Sequence, residues 1–132
     1  MALSLRLVDE TTSGEVYNET VLKLVSTRIS VRDLIEQRVR EEVRRFNDEK
    51  ADKLFAGLVQ PRDAEQQLNG FRLKKMRQID ADAQVKIALE AFENNGFFLL
   101  VDDRQVESLD EEFGVSENTK VTFMKLIPVV GG

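Results

Sequence analysis

The residues of this sequence best suited to chemistry stand at its end, where Gly131 and Gly132 follow Pro128, Val129 and Val130. Glycine has no Cβ, so its backbone takes angles closed to other residues and lets neighbouring atoms approach closely. A terminal pair of glycines therefore offers a slim, extended chain ending in a carboxylate. At a glycine usage of about 7%, such an ending arises by chance roughly once in 200 sequences. Here it also follows a strand pattern closed by a proline, which sets it apart from a merely frayed end.

Few other residues compete for a chemical role. The 132 residues include neither cysteine nor histidine, which removes thiolate nucleophiles, disulfides, the usual zinc sites and the imidazole base that works near neutrality. Paired carboxylates could act only in a shaped pocket, which spacing alone does not reveal. An enzyme is therefore a poor reading of the chain. A net charge of −5 disfavours attraction to nucleic acid, and no cofactor is expected to be bound.

Three charged clusters remain. Arg72, Lys74, Lys75 and Arg77 interleave with Phe71, Leu73 and Met76 and form a candidate patch for an acidic partner or RNA. On a helix, the same alternation is ordinarily a solvated face over a buried one. Arg38, Arg40, Arg44 and Arg45 among Glu36, Glu41 and Glu42 read as pairing along a helix surface. Glu107, Asp110, Glu111, Glu112 and Glu117 lack calcium-loop spacing and read as the solvated side of a turn region.

The elements that must position the tail follow from periodicity. Leu3, Leu5 and Leu7 alternate with Ser4 and Arg6 as a half-buried strand does. Thr11 to Gly14 supply a turn, and a run from Val16 or Val21 through Val25 returns to complete a hairpin. Val31, Leu34, Ile35, Val39, Val43 and Phe46 then recur at helical spacing, with Arg32, Glu36, Arg38, Arg40 and Glu41 on the other side. Ser30 is placed to cap that helix and Asp33 to favour its first turn.

Between residues 47 and 95 the pattern predicts two helical pieces, Asp63 to Met76 and Asp80 or Ala81 to Glu93. Asn94-Asn95-Gly96 marks a turn, Phe97 to Val101 a strand, and Asp102-Asp103 a second turn with Arg104 to Val106 pairing back. Leu109 and Phe113 are expected to reach the core from an irregular segment. A last strand runs from Thr119 to about Ile127, with Val121 and Phe123 alternating against Lys120 and Thr122. Pro128, which cannot donate to a ladder, ends it and releases a flexible tail over 128–132.

Hairpin, helix, further strands and a diglycine end resemble the beta-grasp, or ubiquitin-like, fold. Phe97 to Gly132 is most similar to the small sulfur-carrier subunits of molybdopterin and thiamine biosynthesis, on Phe98 to Val101, Asp102-Asp103, Leu109-Asp110, Val121 to Phe123 and Pro128 to Gly132. The resemblance covers about half the chain and implies an α+β fold, one beta-grasp domain over 1–132, with 47–95 as a largely helical insertion. It implies that an E1-like activating enzyme uses ATP to adenylate the Gly132 carboxylate, with Gly131 the slim approach and Pro128, Val129 and Val130 the contacts that guide the tail. The acyl group then passes either to target proteins, with an E2-like conjugating enzyme and a deconjugating protease as partners, or to sulfur as a thiocarboxylate. A non-conjugated binding domain is the remaining alternative.

No apolar stretch approaches the roughly 20 residues of a membrane helix, and Met1 to Glu10 lacks signal-peptide order. The expected location is the cytoplasm.

Overall fold

The computed structural model describes residues 3–49, 57–61, 64–67, 70–73 and 78–125. It is an α+β structure whose chain divides into two compact units, Met1–Asp33 with Phe92–Gly132, and Leu34–Ala91.

In the first unit, strands β1 (Leu3–Thr11) and β2 (Val16–Leu24) form the expected antiparallel hairpin. Its turn is closed by Gly14 N–H donating to the Thr11 carbonyl at 2.9 Å, with Gly14 at φ +88°. That left-handed angle is strained for any residue with a Cβ, which explains glycine at this position. The chain later returns as β6 (Phe97–Val101), β7 (Arg104–Val106) and β9 (Lys120–Lys125), giving a mixed five-stranded sheet in the order β2-β1-β9-β6-β7. β9 runs parallel to β1 and antiparallel to β6. The two-residue turn between β6 and β7 holds Asp102 and Asp103 at φ 49° and 70°, both positive as a primed hairpin turn demands.

One side of this sheet is apolar. Leu7 stands opposite Val121, which stands opposite Val101, and Phe123 stands opposite Leu99. All five are buried, and Phe97 bridges Phe92 and Phe123 with ring centroids 5.8 and 5.9 Å apart. A second, small pairing joins β3 (Arg28–Ser30) to β8 (Glu112–Gly114). Phe113 thus reaches the interior from a strand, where an irregular segment was expected, because its neighbours find ladder partners just before the first helix.

Helix α1 (Val31–Glu49) begins where expected, with the Ser30 hydroxyl accepting from Asp33 N–H at 3.1 Å. In the second unit Leu34, Ile35, Val39 and Val43 are buried, and so is Arg38, which periodicity had placed on the polar side. The spacing explains the correction: Leu34, Arg38 and Glu42 follow one another at four-residue steps, so they share a helix face. Helix α2 (Ala81–Glu93) is capped by Asp80 Oδ1, which accepts from the N–H groups of Asp82 and Ala83 at 3.0 and 3.3 Å. Just beyond its end Asn95 N–H donates to the Phe92 carbonyl at 3.2 Å, and the left-handed φ of 62° at Asn95 turns the chain out of the helix.

Among the described residues, strands stand where a helix was expected from Asp63 to Met76. They make an antiparallel hairpin of β4 (Ala64–Gln67) and β5 (Gly70–Leu73), with Gln67 opposite Gly70. At 64–67 and 70–73 this corrects the expectation of a largely helical 47–95. Gly70 would cost a helix interior about 1 kcal/mol, and Phe71-Arg72-Leu73 alternates as a strand does. Among the described residues no helix is long and apolar enough to cross a membrane.

Candidate functional site

The candidate reacting residues, Gly131 and Gly132, and the guiding residues Pro128, Val129 and Val130 lie outside the described residues, as do Lys74, Lys75 and Arg77 of the basic patch. The structure does describe what carries the chain towards the tail. β9 lies in the middle of the sheet, bonded on both sides, and its last described residue, Lys125, stands opposite Thr11 of β1 and Phe97 of β6. A strand with two neighbours cannot slip register without moving its whole apolar set off the core face, so Val121 and Phe123 fix where Lys125 falls.

The surroundings of Lys125 are built from the hairpin turn. Because β1 and β9 run parallel, the end of β1 and the end of β9 lie at the same end of the sheet. There Thr11 N–H donates to the Glu15 carbonyl at 2.9 Å, and the Thr11 and Ser13 hydroxyls lie 2.8 Å apart. Lys125 Nζ sits 5.8 Å from the centre of the Tyr17 ring, within cation–π range. Two residues deeper, the buried Asp9 carboxylate accepts from Asn18 Nδ2 at 2.9 Å. The β1–β2 pairing shifts register between Asp9 and Glu10, and this bulge lies beside Tyr17.

Thr122 departs from the expected alternation. It faces away from Val121 and Phe123 yet is also buried, opposite Val8 and Leu100, and its hydroxyl is the buried side-chain polar atom without a hydrogen-bond partner among the described residues.

The charged clusters are placed differently from one another. The backbone of Arg72 lies in β5 opposite Glu65, so the basic patch does not begin on a helix. On α1, Arg40, Arg44 and Arg45 are exposed and paired: Arg40 with Asp82 at 2.8 Å, Arg44 with Glu41 at 2.6 Å and Asp48 at 3.0 Å, Arg45 with Glu41 at 3.0 Å. The Arg44 and Arg45 hydrogen bonds hold the Glu41 carboxyl below its ordinary value, Arg44 contributing most. The acidic stretch is also engaged, through Arg28–Glu112, Arg32–Asp110 and Arg104–Glu111 at 3.2, 3.4 and 2.8 Å.

Sequence reasoning missed the outward residues of β2. Val16, Tyr17 and Val21 are each about half exposed. The signal was the adjacency of Val21 and Leu22: in a strand, only one of two neighbours can face inward.

No protein-family model, curated protein or solved structure matches the chain.

Proposed function

We propose that this chain is a ubiquitin-like protein modifier of beta-grasp architecture, acted on through Gly132. The observation that carries the reading is the place of β9: the last strand lies centrally, parallel to β1, and is paired on both sides as far as Lys125, seven residues before Gly132. A hairpin, a capped helix and a central last strand parallel to the first are the order of the beta-grasp. In this reading the segment between α1 and β6, with its β4–β5 hairpin and α2, is an insertion serving recognition by dedicated enzymes.

The chemistry requires a free carboxylate on Gly132. An oxygen of that carboxylate attacks the α-phosphorus of ATP held by an E1-like enzyme, and pyrophosphate leaves. A nucleophile then attacks the acyl carbon, AMP leaves, and the Gly132 carbonyl is joined to an enzyme cysteine and finally to a target amine. Gly131 lets the peptide lie close to the enzyme surface during adenylation.

A sulfur carrier is the second reading, favoured by the succession of β6, an Asp102-Asp103 turn, β7, Leu109-Asp110 and β9. Expression of the intact chain in its native host, followed by mass measurement of the Gly132 peptide, separates the readings. A bond to a protein amine is the expected result. Exchange of one oxygen for sulfur selects the carrier, and a bare carboxylate throughout overturns both in favour of a binding domain.

A further inference from the structure

The exposed large apolar side chains among the described residues, Val16, Tyr17, Val21 and Val25, all lie on β2 or one residue beyond it. β2 is also the long edge of the five-stranded sheet, nine residues against three for β7 at the opposite edge. β7 exposes Arg104 and Gln105, and Arg104 is held by Glu111. A short charged edge resists pairing, whereas a long one with exposed apolar side chains offers unpaired N–H and C=O groups to another strand.

Alternation turns Leu22 and Leu24 inward and leaves Glu19, Val21 and Lys23 exposed. About Val21 these residues are self-complementary. Glu19 lies two residues before and Lys23 two after; Tyr17 lies four before and Val25, 94% exposed, four after. We propose that β2 pairs antiparallel with the β2 of a second copy of this chain about a two-fold axis at Val21, joining the two sheets edge to edge.

That register sets Val21 on Val21, each Glu19 opposite the other chain's Lys23, and each Tyr17 opposite the other chain's Val25. Moving the axis one residue sets a charge against Val21. Moving it two sets Glu19 on Glu19 or Lys23 on Lys23, and like charges directly opposite destabilise a strand pair. Glu19 already binds Arg6 of its own strand pair, and Lys23 makes no ion pair among the described residues. The second chain therefore completes a row of alternating charge, Arg6–Glu19–Lys23. A contact along one strand edge is small beside the roughly 1,600 Å² of a standard interface, so the dimer forms at high concentration.

The test is sedimentation equilibrium of the full chain over a concentration series. Wild type is expected to show a monomer–dimer equilibrium, with Glu19→Lys and Lys23→Glu each weakening it about tenfold or more. An equimolar mixture of those two variants places opposite charges at both cross-chain positions, so it recovers dimers that neither variant forms alone; recovery also shows that both chains fold. Val21→Lys is expected to be monomeric. A wild-type chain that stays monomeric throughout, a dimer indifferent to Val21→Lys, or a mixture without recovery overturns the proposal. Removing Gly131 and Gly132 leaves the dimer unchanged, so this inference and the reading of the tail stand or fall separately.

Discussion

In the unit formed by Met1–Asp33 and Phe92–Gly132, buried backbone is satisfied mainly by strand ladders, while in Leu34–Ala91 the buried loop backbone depends on polar side chains. Glu42 Oε1 accepts from Leu58 N–H at 3.2 Å, and Gln84 Nε2 donates to the Val59 carbonyl at 2.7 Å. Asn47 makes a two-bond clamp on Ile79, its Oδ1 accepting from the N–H at 2.9 Å and its Nδ2 donating to the carbonyl at 3.0 Å. Leu58, Val59 and Ile79 are buried without belonging to a helix or ladder, so their peptide groups require partners from elsewhere. Ladders satisfy backbone regardless of side-chain identity; these loops tie stability to particular polar residues.

If that contrast is right, one polar truncation in the second unit should match the loss of a core aromatic in the first. Phe123→Ala is expected to cost about 3–5 kcal/mol in urea unfolding. Glu42→Ala should cost a similar amount, because it removes the carboxylate that Arg38 Nε and Nη2 reach at 3.2 Å and leaves Leu58 N–H without its acceptor. A loss below about 1 kcal/mol for Glu42→Ala would break the comparison.

Asn47→Ala should cost about 2 kcal/mol and raise hydrogen exchange at the Ile79 amide ahead of amides in β9. Equal acceleration at both places would mean that the clamp is not local. In the sheet, Thr122→Val should raise stability by about 1 kcal/mol, since its buried hydroxyl has no partner among the described residues. A destabilised variant would show that the hydroxyl is satisfied after all.

The smallest effect concerns the exposed side of α1. The Glu41 carboxyl is depressed below its ordinary 4.5 by its bonds to Arg44 and Arg45. Its contribution to stability is therefore present above that ordinary value and is lost as pH falls through the depressed one. The deficit of Glu41→Gln relative to wild type should be small at neutrality and vanish in acid; a deficit that grew on acidification would contradict the sign.

Much of the sheet unit was legible because its signals are local. Leu3-Leu5-Leu7, Ser30 before Val31, and Asp102-Asp103 each state their own conformation through period, cap or turn. The 64–73 hairpin was misread because Phe71, Leu73 and Met76 satisfy a helical spacing as well as an alternating one, and pairing between β4 and β5 decided the matter. Arg38 was misplaced because a charge on the apolar face is tolerable only with a carboxylate at hand, and Glu42 supplies it.

By itself the sequence determined the hairpin, the first helix with its Ser30 cap, the helix that ends at Glu93 and the final strand, since each rests on residues a few positions apart. The tertiary structure alone decided that β9 lies between β1 and β6, that Lys125 meets Tyr17, and that β2 is the long edge exposing Val21. Which strands become neighbours depends on contacts between residues far apart in the chain, where burial of whole faces outweighs any local preference.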